Sequence, residues 1–360
     1  MDRRGFLAST TSAGLLAACA TPAVQAPVSQ LACLPRVDVS RSRVIRLVAG
    51  LRPYRRSGFV VRAEPFGAKR LVHNYGHGGS GITLSWGSSR LAVDLGLADT
   101  AGPVAVLGAG VMGLSTARLA QERGRDVTIY AAALPHDTTS NVAGGQIMPA
   151  LLYRGDAVDD AWRAQFAAAL DYSWRRFQIM VGKHYGVRWL PTYEEGIGRR
   201  TGPEAMLHAG AVDLVGTDSP FPGHEVERFY TMYVEMGRYL ARLTDEFITA
   251  NGRIKVQKFD APGQVADLPE QVVFNCTGLG ARALFGDSEL VPMRGQLAVL
   301  LPQPEVQYAY ELAGGYMFAR PDGILLGGTY ERGEEAAVTT DAAIERILAA
   351  HAAINRACTP

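Results

Sequence analysis

The stretch Val104–Gly113, VAVLGAGVMG, constrains this chain more than any other. Val104, Ala105, Val106 and Leu107 form an apolar run suited to a buried parallel strand. Gly108, Gly110 and Gly113 follow in G-x-G-x-x-G spacing, and Leu114 to Arg123 carries helix-forming Leu, Ala, Arg and Glu. In a strand, tight turn and helix of this kind, Gly108 permits the turn and Gly110 lets the backbone approach a diphosphate. Gly113 lets the helix lie close to the strand. The helix N-terminus then offers free N–H groups and a partial positive charge. Glycines also mark ordinary turns, but the flanking patterns and a second strand at Asp126–Tyr130 favour dinucleotide binding. Such a unit usually starts a domain, whereas here it lies in the interior of the chain.

With 360 residues, 48% hydrophobic and 20% charged, the chain is long enough for two domains or one large one. A formal net charge of +1 gives no electrostatic case for nucleic acid. No solenoid-period repeat and no His/Cys/Asp/Glu set with metal-ligand spacing is visible, so no metal is expected. The N-terminus reads as a targeting segment. Arg3-Arg4-Gly5-Phe6-Leu7, with a weakly apolar run to Ala18, resembles a Tat export signal and is too short to span a membrane. Leu16-Ala17-Ala18-Cys19 fits a lipobox, in which lipid on the Cys19 sulfur would tether the mature protein to a membrane; the alternative is cleavage further on, near Ala26. A periplasmic protein with a flexible leader from Thr21 to Ala32 is expected.

Val44–Ala49 reads as a short strand, followed by a chain turn at Gly50-Leu51-Arg52-Pro53. Gly58–Glu64 reads as another strand. The glycine-rich loop Gly76–Gly81 opens a helix over Ile82–Leu97 and forms a second candidate anion site. Ala98–Pro103 is a connector, and Asp137–Pro149 is a loop placed to approach a ligand. Asp160–Met180 is an amphipathic helix whose aromatic residues read as core, and Ala211–Pro222 reads as irregular loop. Thr231–Ala250 reads as a helix capped by Asn251-Gly252. Strands are expected at Gln271–Asn275, Leu297–Leu300, Gly315–Ala319 and Gly323–Gly327, with a last helix over Thr340–Asn355.

Several motifs together resemble the D-amino-acid oxidase family of FAD enzymes, which includes glycine oxidase and D-aspartate oxidase. They are GAGVMGLSTA at Gly108–Ala117, TTSNVAGG at Thr138–Gly145, NCTG at Asn275–Gly278, RGQ at Arg294–Gln296, GLRP at Gly50–Pro53 and NYGHGGSGITLSWG at Asn74–Gly87. Family members begin with the G-x-G-x-x-G unit and end with the GLRP and NYGHGG segments. Here that order is reversed, so the resemblance implies a circular permutant. The family's last helix, Ile82–Leu97, is joined through Ala98–Pro103 to its first strand. Ala32-Cys33-Leu34-Pro35 echoes Ala357-Cys358-Thr359-Pro360 across the implied cut, where an oxidising compartment would permit a Cys33–Cys358 disulfide; the alternative is two free terminal thiols. Cys276 reads as inert packing.

The implied fold is α/β, a Rossmann-like FAD-binding domain with a β-rich α+β substrate domain in permuted order. The expected division is 1–32 for signal and tether, 67–150 and 221–290 for FAD, and 33–66, 151–220 and 291–360 for substrate. The resemblance implies FAD held by Gly108, Ala109, Gly110, Val111, Met112 and Gly113, and by Thr138, Thr139, Ser140, Gly144 and Gly145. The loop Gly78, Gly79, Ser80, Gly81, Ile82 and Thr83 completes that set. It implies oxidation of a D-amino acid, a neutral one being expected, with oxygen as acceptor. The Arg52 guanidinium would grip the substrate carboxylate bidentately, Tyr316 would contact it, and the Gly79 carbonyl would accept from the amine. His73 and His77 read as structural. Three departures stand out: no ribose-binding carboxylate in Tyr130–Ala133, Leu312 at the family's lid-tyrosine position, and Met148 where some relatives carry a polar residue. A glycine oxidase, a quinone-linked dehydrogenase and a non-catalytic FAD-binding lipoprotein are the alternatives; oligomeric state is not legible.

Overall fold

The computed structural model describes residues 34–198 and 200–355. The export signal, Cys19, Cys33 and Cys358 lie outside them. The strands in chain order are β1 (Val44–Tyr54), β2 (Val60–Phe66), β3 (Lys69–Tyr75), β4 (Val104–Leu107), β5 (Val127–Ala131), β6 (Val187–Glu195), β7 (Ala209–Leu214), β8 (Val226–Val234), β9 (Arg253–Val256), β10 (Val272–Asn275), β11 (Val291–Leu300), β12 (Ala309–Leu312), β13 (Gly315–Arg320), β14 (Gly323–Gly327) and β15 (Glu331–Arg332). The helices are α1 (Gly81–Leu97), α2 (Val111–Glu122), α3 (Asp160–Ile179), α4 (Met236–Thr249), α5 (Pro262–Ala266), α6 (Gly280–Phe285) and α7 (Asp341–Ile354).

A six-stranded sheet runs β2-β3-β10-β4-β5-β9. All its pairings are parallel except that of β2 with β3. Helices cover both faces, which is why β4 is apolar at every position. Val104 and Val106 pack with Leu84, Leu114 and Leu243 on one side, while Ala105 and Leu107 pack with Val265 and Leu284 on the other. The helix α1 leads from β3 to β4, passing β10, which lies between them.

A nine-stranded sheet runs β1-β11-β14-β13-β12-β6-β8-β7, with β15 paired to β11. Its Ala298, Tyr310, Met317 and Leu326 face helix α7 and pack on Ile344, Ile347 and Leu348. The opposite face carries Leu297, Tyr316, Phe318 and Leu325.

Four expectations change. Strand β1 continues through Gly50–Pro53 instead of turning there, paired antiparallel with β11 as far as Tyr54↔Val291. Pro53 is tolerated because β1 is a sheet edge. Thr231–Val234 ends strand β8, where aromatic and β-branched residues alternate; the helix begins only at Met236. Part of Ala211–Pro222 is strand β7, paired with β8. The sheets also divide the chain differently from the expected domains: β2 belongs to the six-stranded sheet and β8 to the nine-stranded one. The cap of α4 is as expected. Asn251 takes φ 62°, and the N–H groups of Asn251 and Gly252 donate to Ile248 and Phe247 carbonyls at 2.9 Å.

Candidate active site

A continuous, mostly apolar cavity of about 600 Å³ runs from the carboxyl ends of β4 and β5 to the inner face of the nine-stranded sheet. At its middle, Gly108 has φ +102°, and a Cβ there would come within 2.6 Å of the Cys276 carbonyl oxygen. Gly110 is the N-cap of α2 and brings no capping side chain; the Val111 N–H donates to Ser140 Oγ at 3.0 Å. Gly108, Ala109, Gly110, Val111 and Met112 line the cavity, as do Thr138, Thr139, Ser140, Gly144 and Gly145. So do Gly78, Gly79, Gly81 and Ile82 from the loop before α1.

Three expected contacts are absent from the wall. Gly113 faces the strand, where a Cβ would overlap the Gly108 carbonyl oxygen, so its role is close packing. Ser80 Oγ donates to the Ala150 carbonyl at 3.0 Å and accepts from the Ala150 N–H at 2.9 Å. Thr83 Oγ1 holds both backbone groups of Met148 in the same way, at 3.0 and 3.1 Å. These two hydroxyls fix the loop that carries the cavity-lining Met148 and Ala150 instead of facing the cavity themselves.

At the far end, Arg52 lies against the sheet. Its two terminal nitrogens donate to Tyr316 Oη at 3.4 Å and to the Thr329 carbonyl at 3.5 Å, and its guanidinium lies 5.4 Å from the Tyr330 ring centroid. Two glycines make the room: a Cβ at Gly295 would overlap the guanidinium, and one at Gly327 would overlap the Tyr316 ring. Tyr316 stacks on Phe318 at 4.9 Å. Burial raises its pKa despite the opposing Arg52 charge, so its hydroxyl keeps its proton at neutral pH. Tyr330 is pushed up to about 12, chiefly by burial.

The histidines are structural. Burial pushes His77 down to about 3; its Nε2 pairs with Ser88 Oγ at 3.0 Å and its ring stacks on Phe59. His73 bridges Glu64 and Asn275. Cys276 is buried, and burial pushes its thiol up to about 12, which leaves it an unreactive thiol. Leu312 packs behind the sheet with the α7 cluster and does not reach the cavity.

Two wall segments escaped sequence reasoning. Beyond the Tyr130–Ala133 wall, Gln257–Asp260 also lines the cavity, with Lys258 Nζ paired to Asp260 at 2.6 Å. The residues follow β9, the neighbour of β5, and that adjacency is topological. Glu311 lines the other end, and only the β12–β13 register reveals it.

Comparison with protein families matches residues 29–95 and 103–354 to the DAO family, described as FAD dependent oxidoreductase. The chain belongs to this family. It is 33% identical to a D-amino-acid oxidase of Streptomyces coelicolor over 242 residues, covering 64% of this chain and 70% of that protein. It is 32% identical to a D-amino-acid oxidase of Rubrobacter xylanophilus over 256 residues, covering 68% and 74%. Its fold is similar to the glycine oxidase of Bacillus cereus, with a TM-score of 0.52 at 14% identity over 71% of this chain and 78% of that one.

The cofactor of this oxidoreductase is FAD, and the cavity fits it. It is elongated, and its middle is a glycine cradle at a helix N-terminus that side chains would fill. The segments Gly108–Met112 and Thr138–Ser140 would hold the diphosphate. Tyr130–Ala133 with Gln257–Asp260 would take the adenosine end, and Gly78–Ile82 with Gly144–Gly145 the flavin end.

Proposed function

We propose that the protein carries out oxidative deamination of D-amino acids, with oxygen as the final acceptor and a 2-oxo acid, ammonia and hydrogen peroxide as products. The observation that carries this reading is the Arg52–Tyr316 pair, fixed 3.4 Å apart at one end of the FAD-shaped cavity. When bound, FAD supplies the two-electron acceptor for the hydride from the substrate Cα. Arg52 offers a planar, permanently charged fork to the substrate carboxylate, and Tyr316 Oη adds a donor that stays protonated at neutral pH. Gly79 lines the same cavity and presents backbone, so its carbonyl can accept from the substrate amine. Three fixed points around one carbon discriminate enantiomers. A substrate amine that arrives neutral needs no side-chain base, and His77, buried and bonded to Ser88, supplies none.

The test is a peroxide-coupled screen of the purified yellow protein against D-amino acids, L-amino acids and glycine. Peroxide, ammonia and 2-oxo acid in equal amounts from D-amino acids are expected. FAD-loaded protein that turns over no D-amino acid overturns the reading; turnover confined to glycine favours a glycine oxidase, and flavin reduction without peroxide favours a dehydrogenase.

The reversed motif order supports a circular permutation. Its cut would fall between α7 and β1, where the Val37 N–H donates to Asn355 Oδ1 at 3.2 Å, and its join would be residues 98–103, most of which fall in the stretch 96–102 that the family match skips. A chain reopened at 98–103 and linked from Asn355 to Val37 should fold and bind FAD; a colourless, insoluble product counts against the permutation. The twin arginines and the Leu16–Cys19 lipobox support export and a lipid anchor. Fatty-acid labelling that persists in Cys19→Ser would exclude that anchor.

A further inference from the structure

The inner face of the nine-stranded sheet carries a row of register partners. Leu297 on β11 pairs with Gly327 on β14, Gly327 with Tyr316 on β13, and Tyr316 with Glu311 on β12; Glu311 pairs with Glu194 on β6. Directly paired residues project from the same face of a sheet. Leu297, Tyr316 and Glu311 accordingly all line the cavity. The hairpin that sets this register has two turn residues, Ala313 at φ 49° and Gly314 at φ 73°.

The acids around Glu311 are all engaged. Glu194 is paired with Arg200, and Glu195 accepts from the Ala313 N–H at 2.7 Å and pairs with His224 at 2.9 Å. Glu227, the next partner in the row, is bonded to His208 Nδ1 at 2.6 Å. The Glu311 carboxylate makes no hydrogen bond or ion pair with any described residue. It lines the cavity and is solvent-exposed there. Burial, with the Glu194 carboxylate beside it, raises its pKa, and its charge adds to the upward shift that burial gives Tyr316 and Tyr330. An unpartnered carboxylate at the wall of a mostly apolar cavity is free to pair with a cation brought by a ligand.

The other cavity-lining charges decide which cation that is. Lys258 and Asp260 neutralise each other in the segment that meets the Tyr130–Ala133 wall. At the substrate end the charges are Arg52 and Glu311, with Leu297, Phe318 and Tyr330 supplying apolar and aromatic wall. A ligand with a carboxylate at one end, an apolar chain, and a cation at the other end matches that arrangement.

We propose that Glu311 receives the cationic end of the substrate side chain, so that the preferred substrates are basic D-amino acids of lysine or arginine length. This rests on the D-amino-acid oxidase reading for the reaction, but not for the binding geometry. The FAD-loaded full chain and Glu311→Gln are therefore compared in two ways. The first is turnover of D-lysine against D-2-aminoheptanoate, in which a methyl replaces the ammonium. The second, which needs no reaction, is binding of 6-aminohexanoate against heptanoate, read from the perturbation of the flavin absorbance. The native chain should favour the ammonium member of each pair by roughly ten- to hundredfold, and Glu311→Gln should abolish that preference. Equal handling of the two members by the native chain overturns the proposal, whatever the variant does, as does a preference that Glu311→Gln leaves intact. A Glu311-dependent preference for 6-aminohexanoate without turnover of any D-amino acid upholds the binding role and overturns the reaction.

Discussion

Arg52 shows how a single side chain is made usable by what its neighbours lack. The guanidinium lies over Gly295, reaches Tyr316 Oη and faces Tyr330, so its fork is fixed before any substrate arrives. Lysine keeps the charge but not the two-pronged geometry. Arg52→Lys should lower kcat/KM for D-amino acids about a hundredfold, roughly 3 kcal/mol of transition-state binding, while the flavin spectrum stays. Steady-state kinetics with the absorbance of bound FAD check both halves; unaltered kinetics would remove Arg52 from the site. This residue was legible from its motif, as were the two glycine loops. Glu311 was not, because nothing in Tyr310-Glu311-Leu312-Ala313 separates a cavity glutamate from a solvated one. Ser80 and Thr83 failed in the opposite sense: they belong to a flavin-loop motif, yet their hydroxyls are spent on the backbone of Ala150 and Met148.

Element boundaries were readable where one signal dominated. The strand–turn–helix at Val104–Glu122 is as expected because apolar run, glycines and helix formers agree. Strand β1 was read short because Gly and Pro suggest a turn locally, while pairing with β11 carries the strand through them. The start of α4 was misplaced because Thr231–Val234 borders a real helix, and only its pairing with β6 reveals the strand. The β12–β13 hairpin offers a direct test. Its two-residue turn needs positive φ at both positions, and Ala313 is a poor occupant at φ 49°. Ala313→Asn should stabilise the protein by about 0.5–1 kcal/mol, seen as a rise of roughly 2 °C in Tm. A fall in Tm would mean that the turn is not of this type.

For the whole molecule, buried histidines held neutral, His77 and His351 among them, contribute to the acid response. Burial lowers His77 to about 3 and His351 to about 4, from an ordinary 6.5. His351 Nε2 donates to the Gly327 carbonyl at 3.0 Å, and its Nδ1 accepts from Tyr310 Oη at 2.7 Å. Between about 4 and 6.5 the unfolded chain binds more protons than the folded one. Their contribution is therefore complete above pH 6.5 and is lost as the pH falls toward 4. Thermal unfolding followed from pH 8 to pH 5 should show Tm dropping below about 6.5, with a shallower drop in His351→Gln. An identical slope in the variant would assign the acid loss elsewhere. Because His351 holds the carbonyl of the glycine beneath Tyr316, acid loosening should begin close to the substrate end of the cavity.

The two-residue hairpin also bears on how such a pocket diversifies. With side chains alternating between faces, a one-residue slip of β12 against β13 exchanges the cavity-facing set for the α7-facing set. Tyr316 and Glu311 are thus kept on the cavity face together for as long as this register holds. Point replacement at position 311, a single codon beside an untouched tyrosine, leaves that register alone, which makes the position the natural entry for a saturation library aimed at new substrates.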